Sequence, residues 1–259
     1  MRSLQGRRIV VTRAREQADD LVRALEERGA VAVLAPVIRI EPLEDLGALR
    51  AALTGLSAYR WVVFTSQNAV QIVFDRLLAW GLTPRVFAST TVAAIGTVTA
   101  DLLRVNGVRP TLVPGEFVAE ALVDALIAHS GTGALMGARV LIPGAADARE
   151  ILFDGLRRHG ATVDAIAVYR TVPVHADLSR LASDITIGRI DAVTFTSSST
   201  VRSFVDLVGR PAATSGKYVA ATIGPITAGT ARELGLHNVI EADPHTVPGL
   251  VESLARRFA

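Results

Sequence analysis

The sequence predicts an α/β protein built from two interlaced, doubly wound lobes, each organised around a parallel sheet. Short apolar runs rich in β-branched residues alternate with amphipathic helical segments along most of the 259 residues. Parallel strands need helical crossovers, so this alternation favours sheets with helices on both faces. One series of motifs also occurs twice, which indicates an internal duplication.

The first half of the chain supplies its predicted elements in order. Short apolar runs predict strands at residues 8–12, 31–35, 60–65, 91–95 and 107–113. Apolar stripes at helical spacing predict helices at residues 14–28, 45–53, 67–80, 96–106 and 117–129. Gly29 follows the first helix as a typical stop signal, and Ser66 can cap the third helix.

These motifs then recur at a nearly constant offset. The matched segments are 8–11 with 139–142, 64–66 with 195–197, and 95–100 with 223–228. The first two pairs lie 131 residues apart and the last pair lies 128 apart, which a loop shorter by three residues explains. Several matches in one order make the duplication the firmest inference from the sequence.

Two segments that end in proline, Val37–Pro42 and Val168–Pro173, occupy equivalent places in the repeat. Proline disfavours helix, so both segments are predicted to run extended between the lobes as a two-strand hinge. We expect lobes of the flavodoxin or Rossmann-like type, with the following boundaries: lobe 1 at 1–37 and 174–259, lobe 2 at 43–167, and hinge connectors at 38–42 and 168–173.

The two connectors share valine, arginine and proline at equivalent positions, but where the first has Ile38 the second has Tyr169. A phenol has an ordinary pKa of about 10, so at neutral pH it is a proton donor. A tyrosine with a buried ring and a hydrated hydroxyl is the common structural alternative. The place of Tyr169 between lobes, where a ligand would sit, favours a role in chemistry.

Small polar residues follow several predicted strands and precede helices, which is where doubly wound proteins bind ligands. Free N–H groups at a helix N-terminus bind carboxylate or phosphate without lysine. Each serine or threonine could instead be an ordinary helix cap, but the set around one cleft favours binding. The predicted binding residues are Thr12, Arg13, Ser66, Thr99, Ser197, Ser198, Gly224 and Thr227. The run from Pro143 to Arg149 is a weaker anion site and adds Gly144 and Arg149.

Composition excludes several kinds of protein and site. The chain has no cysteine, which excludes disulfides, thiolate metal sites and a cysteine nucleophile. Its five histidines form no metal-ligand spacing and its glycines form no nucleotide fingerprint, so no metal or other cofactor is expected. The net charge of +2 gives no sign of nucleic-acid binding, and no apolar run approaches the roughly 18 residues of a membrane span. Without a signal-peptide pattern, a cytoplasmic location is expected.

Taken together, the motifs resemble those of the uroporphyrinogen-III synthase family. The resemblance rests on segments spread over nearly the whole chain: Val11–Arg13, Val62–Val70, Ala94–Ala100, Val168–Thr171, Phe195–Ser197 and Ile223–Ala228. It implies a cofactor-free lyase of tetrapyrrole synthesis that acts on hydroxymethylbilane, a linear tetrapyrrole with several carboxylates. Loss of the terminal hydroxyl would give an azafulvene, and a spiro intermediate would then reclose with ring D inverted.

The resemblance also implies roles for residues. Tyr169 matches the family's tyrosine and would be the acid that assists departure of hydroxide. The polar residues named above match cleft positions and would bind carboxylates together with backbone amides. Arg149 agrees with the family pattern, whereas Pro143-Gly144 replaces the Arg-Gly pair that is frequent there.

We further expect a monomer that receives hydroxymethylbilane by transient handover from hydroxymethylbilane synthase, with no nucleic-acid or membrane partner. Two alternatives remain open. One is a non-catalytic bilobed ligand-binding or regulatory module on the same fold, and the other is an α/β enzyme that acts on another small polyanion. Retention of Tyr169 and of both Gly-x-x-Thr motifs favours the enzyme.

Overall fold

The structure is a computed structural model that describes residues 3–116, 118–131, 133, 135–148 and 150–259, the side chain of Glu150 excepted. The chain folds as two compact units. Unit 1 consists of the chain up to Arg39 together with Thr171–Ala259, and unit 2 is Ile40–Arg170. Each unit contains a sheet of mainly parallel strands, which confirms the predicted α/β class.

Strands and helices alternate along the chain. The strands are β1 (Arg8–Val11), β2 (Val31–Leu34), β3 (Ile38–Pro42), β4 (Trp61–Phe64), β5 (Thr91–Ala94), β6 (Arg139–Ala145), β7 (Thr162–Pro173), β8 (Ala192–Phe195), β9 (Val219–Thr222) and β10 (Val239–Glu241). The helices are α1 (Asp19–Glu27), α2 (Gly47–Thr54), α3 (Gln67–Ala79), α4 (Thr97–Val105), α5 (Ala119–Ser130), α6 (Glu150–Arg158), α7 (Ser179–Thr186), α8 (Ser198–Val208), α9 (Arg210–Ala213), α10 (Pro225–Glu233) and α11 (Val247–Phe258).

The sheet of unit 1 has the strand order β10-β9-β8-β1-β2, with parallel neighbours throughout. Its middle strands β8 and β9 are buried along their whole length, as expected for a sheet covered on both faces. On one face, α1 and α11 bury leucines such as Leu25 and Leu254 against β1. Phe195 of β8 and Phe204 of α8 meet edge to face, with ring centroids 5.2 Å apart.

The sheet of unit 2 has the order β3-β7-β6-β4-β5, in which β7, β6, β4 and β5 run parallel. Alternate residues of β4 serve opposite faces. Val62 and Phe64 belong to the core formed with α2 and α3, whereas Trp61 and Val63 belong to the core formed with α5 and α6. Helices therefore cover both faces of this sheet as well, which fits the uninterrupted apolar run of its inner strand β4.

Several predicted boundaries were wrong. The first helix begins at Asp19, after a short 3-10 turn over Arg15–Gln17. The strand predicted at 107–113 is reduced to one bridge between Ala93 and Leu112. Pro110 and Pro114 flank this bridge and cannot donate to a ladder, which accounts for its shortness.

The strand predicted to end at Ile142 continues as β6 to Ala145, so Gly144 lies in a strand and not in an anion-binding loop. Pro143 is tolerated because pairing of β6 with β4 ends at Leu141, and no ladder bond is required on that side. Both connectors are strands, β3 and the second half of β7, and the boundaries between the units fall within them. Flexing at these strands stays a prediction.

Candidate functional site

Tyr169 of β7 and Ser66 are brought together in unit 2. The Tyr169 hydroxyl donates a hydrogen bond of 3.1 Å to Ser66 Oγ. Ser66 follows β4 in an extended conformation and caps α3, where its Oγ also accepts the N–H of Ala69 at 3.1 Å. The phenol therefore lies at the N-terminus of α3, where the helix dipole favours negative charge.

A β-bulge directs Tyr169 toward this position. Gly144 and Ala145 of β6 pair with Ala167 and Tyr169 of β7, so Val168 is an extra residue. A regular strand would send Val168 and Tyr169 to opposite faces, but both are buried in the same core cluster, at 0% and 7% exposure. The N–H of Ala146 donates to the Tyr169 carbonyl at 2.8 Å and holds the bulge in place.

Helix α4 begins differently from α3. Gly96 is its N-cap residue, and no side chain in the described structure caps the helix. The first N–H groups of a helix have no intrahelical partner, so the first turn of α4 retains donors for an anion. Thr99 is in this turn, but its side chain is buried, with only 5% exposure.

Unit 1 repeats the same two kinds of helix start. Ser197 caps α8 in a capping box with Thr200, and its Oγ lies 2.9 Å from Ser199 Oγ. Ser198 Oγ accepts a hydrogen bond of 2.8 Å from the Thr230 hydroxyl of α10. The capping box pairs Ser197 with Thr200, three residues away, so a Ser/Thr-rich sequence can indicate it. The Ser198 contact involves Thr230, 32 residues away, and no local pattern indicates it.

Helix α10, like α4, begins after a glycine and has no side-chain cap among the described residues. His245 packs closely against Gly224, since a Cβ at position 224 would lie 3.3 Å from His245 Cγ and the histidine side chain would have to shift. Thr227 in the first turn is buried at 5% exposure, just as Thr99 is in α4. The duplicated Gly-x-x-Thr motifs thus produce uncapped helix N-termini with inward-facing threonines.

Thr12 and Arg13 follow β1 and have different environments. Thr12 is fully buried, and its hydroxyl donates to the Thr194 carbonyl at 2.6 Å. Arg13 is partly buried, and its Nε has no hydrogen-bond partner among the described residues. Burial lowers the pKa of Arg13 below its ordinary value, and the charge of Asp20 offsets this in part. A desolvated guanidinium with an unused N–H suits an anionic ligand.

The remaining predicted residues, Gly144 and Arg149, give less support for a binding site. Gly144 is a buried strand residue, and a Cβ there would be 4.0 Å from Thr65 Oγ1. Arg149 lies outside the described residues. Among the described residues, no cluster of three or more histidine and acidic side chains could hold a metal ion, and none of the described helices has the length and apolar character to cross a membrane.

A second polar cluster lies at the end of the unit 2 sheet where the strands begin, opposite the end at which Ser66 follows β4. Tyr59 donates a hydrogen bond of 2.6 Å to Asp164, and Arg139 Nη2 binds the same carboxylate at 2.6 Å. Burial and then the Asp164 contact raise the pKa of Tyr59, while the Tyr59 hydrogen bond and Arg139 lower the pKa of Asp164. Tyr59 and Arg139 line two open grooves of about 600 and 690 Å³. Neither groove is lined by Tyr169 or Ser66.

Comparison with known proteins gives a consistent result. The family model described as uroporphyrinogen-III synthase HemD matches residues 19–252. The porphyrin biosynthesis protein HemD of Ruminiclostridium josui is 30% identical over 251 residues, which covers 97% of this chain and 48% of that protein. This chain thus spans about half the length of that relative. The uroporphyrinogen-III synthase of Synechococcus elongatus is 30% identical over 273 residues, covering 98% of this chain and 97% of that protein.

A solved structure supports the shared fold. Mutant uroporphyrinogen III synthase from Thermus thermophilus has a TM-score of 0.64 and 19% sequence identity to this chain, covering 97% of this chain and 98% of that one. The match of the family model to most of the sequence decides the assignment. The chain belongs to the uroporphyrinogen-III synthase family.

Proposed function

We propose that the chain converts hydroxymethylbilane into uroporphyrinogen III, with loss of water and inversion of ring D. The observation that carries the proposal is the hydrogen bond between Tyr169 and Ser66 at the N-terminus of α3. It offers a phenolic proton beside a helix dipole that stabilises the phenolate left after proton transfer.

Tyr169 is the acid for the first step. The bond between the terminal carbon and its hydroxyl breaks as the phenol protonates the departing oxygen, which leaves as water. Electrons from the pyrrole nitrogen form the azafulvene, and the nitrogen proton passes through solvent to the phenolate and restores the phenol. The substituted carbon of the ring D pyrrole then attacks the azafulvene carbon and forms a spiro intermediate. The older bond from that substituted carbon to its methylene bridge breaks, and the released methylene carbon is attacked by the other α carbon of ring D, which loses its proton, so that the ring closes with ring D inverted.

Substrate carboxylates are held by hydrogen-bond donors that are not fully used within the protein. In unit 1 these are the Arg13 guanidinium, whose Nε has no partner in the described structure, and the uncapped first turn of α10. In unit 2 the uncapped first turn of α4 has the same role. Holding a flexible polyanion in one fold supplies most of the catalysis, since the reaction competes with uninverted closure.

The buried threonines act on the substrate indirectly. Thr12 fastens the end of β1 to β8 through its bond to Thr194, and Thr99 and Thr227 pack inward below the helix turns. The hydroxyls of Ser66, Ser197 and Ser198 and the backbone of Gly224 contact the ligand. Roles for Gly144 and Arg149, handover from hydroxymethylbilane synthase, a monomeric state and a cytoplasmic location stay predictions.

Supplying freshly prepared hydroxymethylbilane tests the function directly. After oxidation, the porphyrin isomers are separated and their yields followed with time. We expect isomer III to dominate, at a rate proportional to protein concentration. Formation of isomer I alone, at the rate seen without protein, would contradict the proposal and favour a non-catalytic module.

A further inference from the structure

The larger groove beside the Tyr59 cluster is lined by two arginines, Arg60 and Arg139. Its volume is about 690 Å³, and it lies where β4, β5 and β6 begin. Three hydroxyl-bearing residues also line it: Ser57, Ser89 and Thr90. The Thr90 oxygen is buried and has no hydrogen-bond partner in the described structure. Since no carboxylate is among the described lining residues, the groove offers an anion two cations and several hydroxyls.

The two arginines are neighbours on adjacent strands. The N–H of Arg60 donates to the Arg139 carbonyl at 2.9 Å, and the register of β4 with β6 places both side chains on the same face of the sheet. Like charges at paired positions of a sheet repel each other. Asp164 compensates Arg139 at 2.6 Å, whereas the exposed Arg60 has no carboxylate partner among the described residues. One positive charge is therefore left over at this place.

Unit 1 has the opposite arrangement at the equivalent place. Asp191 is the equivalent of Arg60 at the offset of 131. Arg8 is the equivalent of Arg139 at the same offset, and its carbonyl accepts the N–H of Asp191 at 3.0 Å. The Asp191 carboxylate also accepts the N–H of Arg8 at 2.8 Å and pairs with Arg7 at 2.7 Å. Unit 1 thus contains a negative charge at the position where unit 2 has an arginine.

We propose that the groove beside Arg60 and Arg139 binds an oxyanion, the phosphate or carboxylate group of a small molecule. Guanidinium groups match the paired oxygens of both anions. Arg139 uses only Nη2 for Tyr59 and Asp164, so its Nε and Nη1 have no partner in the described part of the chain. Its guanidinium also lies over the Tyr59 ring, 4.4 Å from the centroid, which helps to hold it in place. The anion supplies the negative charge that Asp191 supplies in unit 1.

The test gives unit 2 the residue that unit 1 has at this position. Arg60→Asp removes the cation and adds a carboxylate, and Arg60→Gln removes the charge alone. Arg257→Asp is the matched control for charge, because Arg257 is exposed near the end of α11 and the substitution also lowers the net charge from +2 to 0. Binding of inorganic phosphate and of citrate is measured by calorimetric titration at constant ionic strength. Unfolding temperatures are recorded with and without about 10 mM of each anion, since a ligand of the folded state raises them.

We expect the parent chain and Arg257→Asp to bind at least one of the two anions and to unfold at a higher temperature in its presence. Arg60→Gln and Arg60→Asp should each raise the Kd at least about tenfold, the loss expected for hydrogen bonds to a charged group. Without anion, Arg60→Asp should unfold at the temperature of the parent chain or above it, because its carboxylate compensates Arg139. Binding of phosphate alone would identify a phosphate ester as the ligand class, and binding of citrate alone would identify a polycarboxylate.

Equal Kd values in all four proteins, or a parent chain that binds neither anion, would overturn the proposal. The site does not depend on the proposed function, because the groove is not lined by Tyr169 or Ser66. Failure of the proposed function would appear in the assay with hydroxymethylbilane and not in these titrations.

Discussion

The hydroxyl of Tyr169 and Oγ of Ser66 are joined over 3.1 Å, with the phenol as donor. Ser66 Oγ also accepts the N–H of Ala69, so both of its lone pairs are in use and its own proton remains to be donated. One serine thus caps a helix, orients the phenol and retains a donor for a ligand. Helix stability and catalysis can be separated by substitutions around this pair.

Replacing Tyr169 with phenylalanine should lower kcat by one to two orders of magnitude, about the lower range of general acid catalysis. KM should change little, since carboxylate-binding groups are untouched. Tyr218→Phe is the matched control, because the Tyr218 hydroxyl is buried and donates to the Ala213 carbonyl at 2.7 Å. Initial rates of isomer III formation measure both variants. An unchanged kcat for Tyr169→Phe would reduce the tyrosine to a structural role.

Ser66→Ala should destabilise the protein by about 1 kcal/mol through loss of the α3 cap. It should also lower kcat, because the phenol loses its hydrogen-bond acceptor. Thr246→Ala removes the cap of α11, where the Thr246 hydroxyl accepts the N–H of Gly249 at 3.2 Å, and should cost similar stability without lowering kcat. Urea unfolding and steady-state kinetics separate the two effects. Equal changes in kcat for both variants would argue that Ser66 does not orient Tyr169.

Arg13→Met should raise KM about ten- to hundredfold, the loss expected for charge-assisted hydrogen bonds to a carboxylate. The free energy of unfolding should stay constant or rise by up to about 1 kcal/mol, since the substitution removes a half-buried cation whose Nε has no hydrogen-bond partner among the residues that the structure describes. Arg28→Met, which breaks an exposed ion pair with Glu252, should leave KM unchanged. A large loss of stability with normal KM would assign Arg13 to the fold alone.

Tyr59→Phe should lower stability by about 1 kcal/mol at pH 7, because Asp164 loses a hydrogen-bond donor. The folded protein holds the pKa of Asp164 below its ordinary value of 3.8, so this stabilisation is present above that pH and is lost as the pH falls through the folded pKa. The loss of stability caused by Tyr59→Phe should therefore become smaller as the pH is lowered. Tyr218→Phe, whose acceptor is a carbonyl, should show a deficit that is independent of pH between 3 and 7. Urea unfolding at several pH values measures the loss of stability in both variants. A loss in Tyr59→Phe that does not change with pH would contradict the coupling between the Tyr59 hydrogen bond and the Asp164 charge.

Local patterns predicted the parts of the site that depend on nearby residues. Ser66 and Ser197 were predicted beside helix starts, and both cap helices, because a cap needs only a hydroxyl and an N–H three residues later. The repeat singled out Tyr169 by contrast with Ile38. The bulge at Val168 was not predicted, because it depends on the register of β7 against β6, strands separated by a helix.

The α/β class, the duplication and the residue types at the strand ends can be read from the amino-acid sequence, because they follow from periodicity and local propensity. Which polar side chains remain available for a ligand depends on tertiary contacts. Thr12, Thr99 and Thr227 follow the same local rules as the serines, yet they are buried, while Arg13 Nε has no hydrogen-bond partner in the described part of the chain. The physical reason is that burial and hydrogen-bond satisfaction depend on partners far along the chain, as Thr194 lies 182 residues from Thr12.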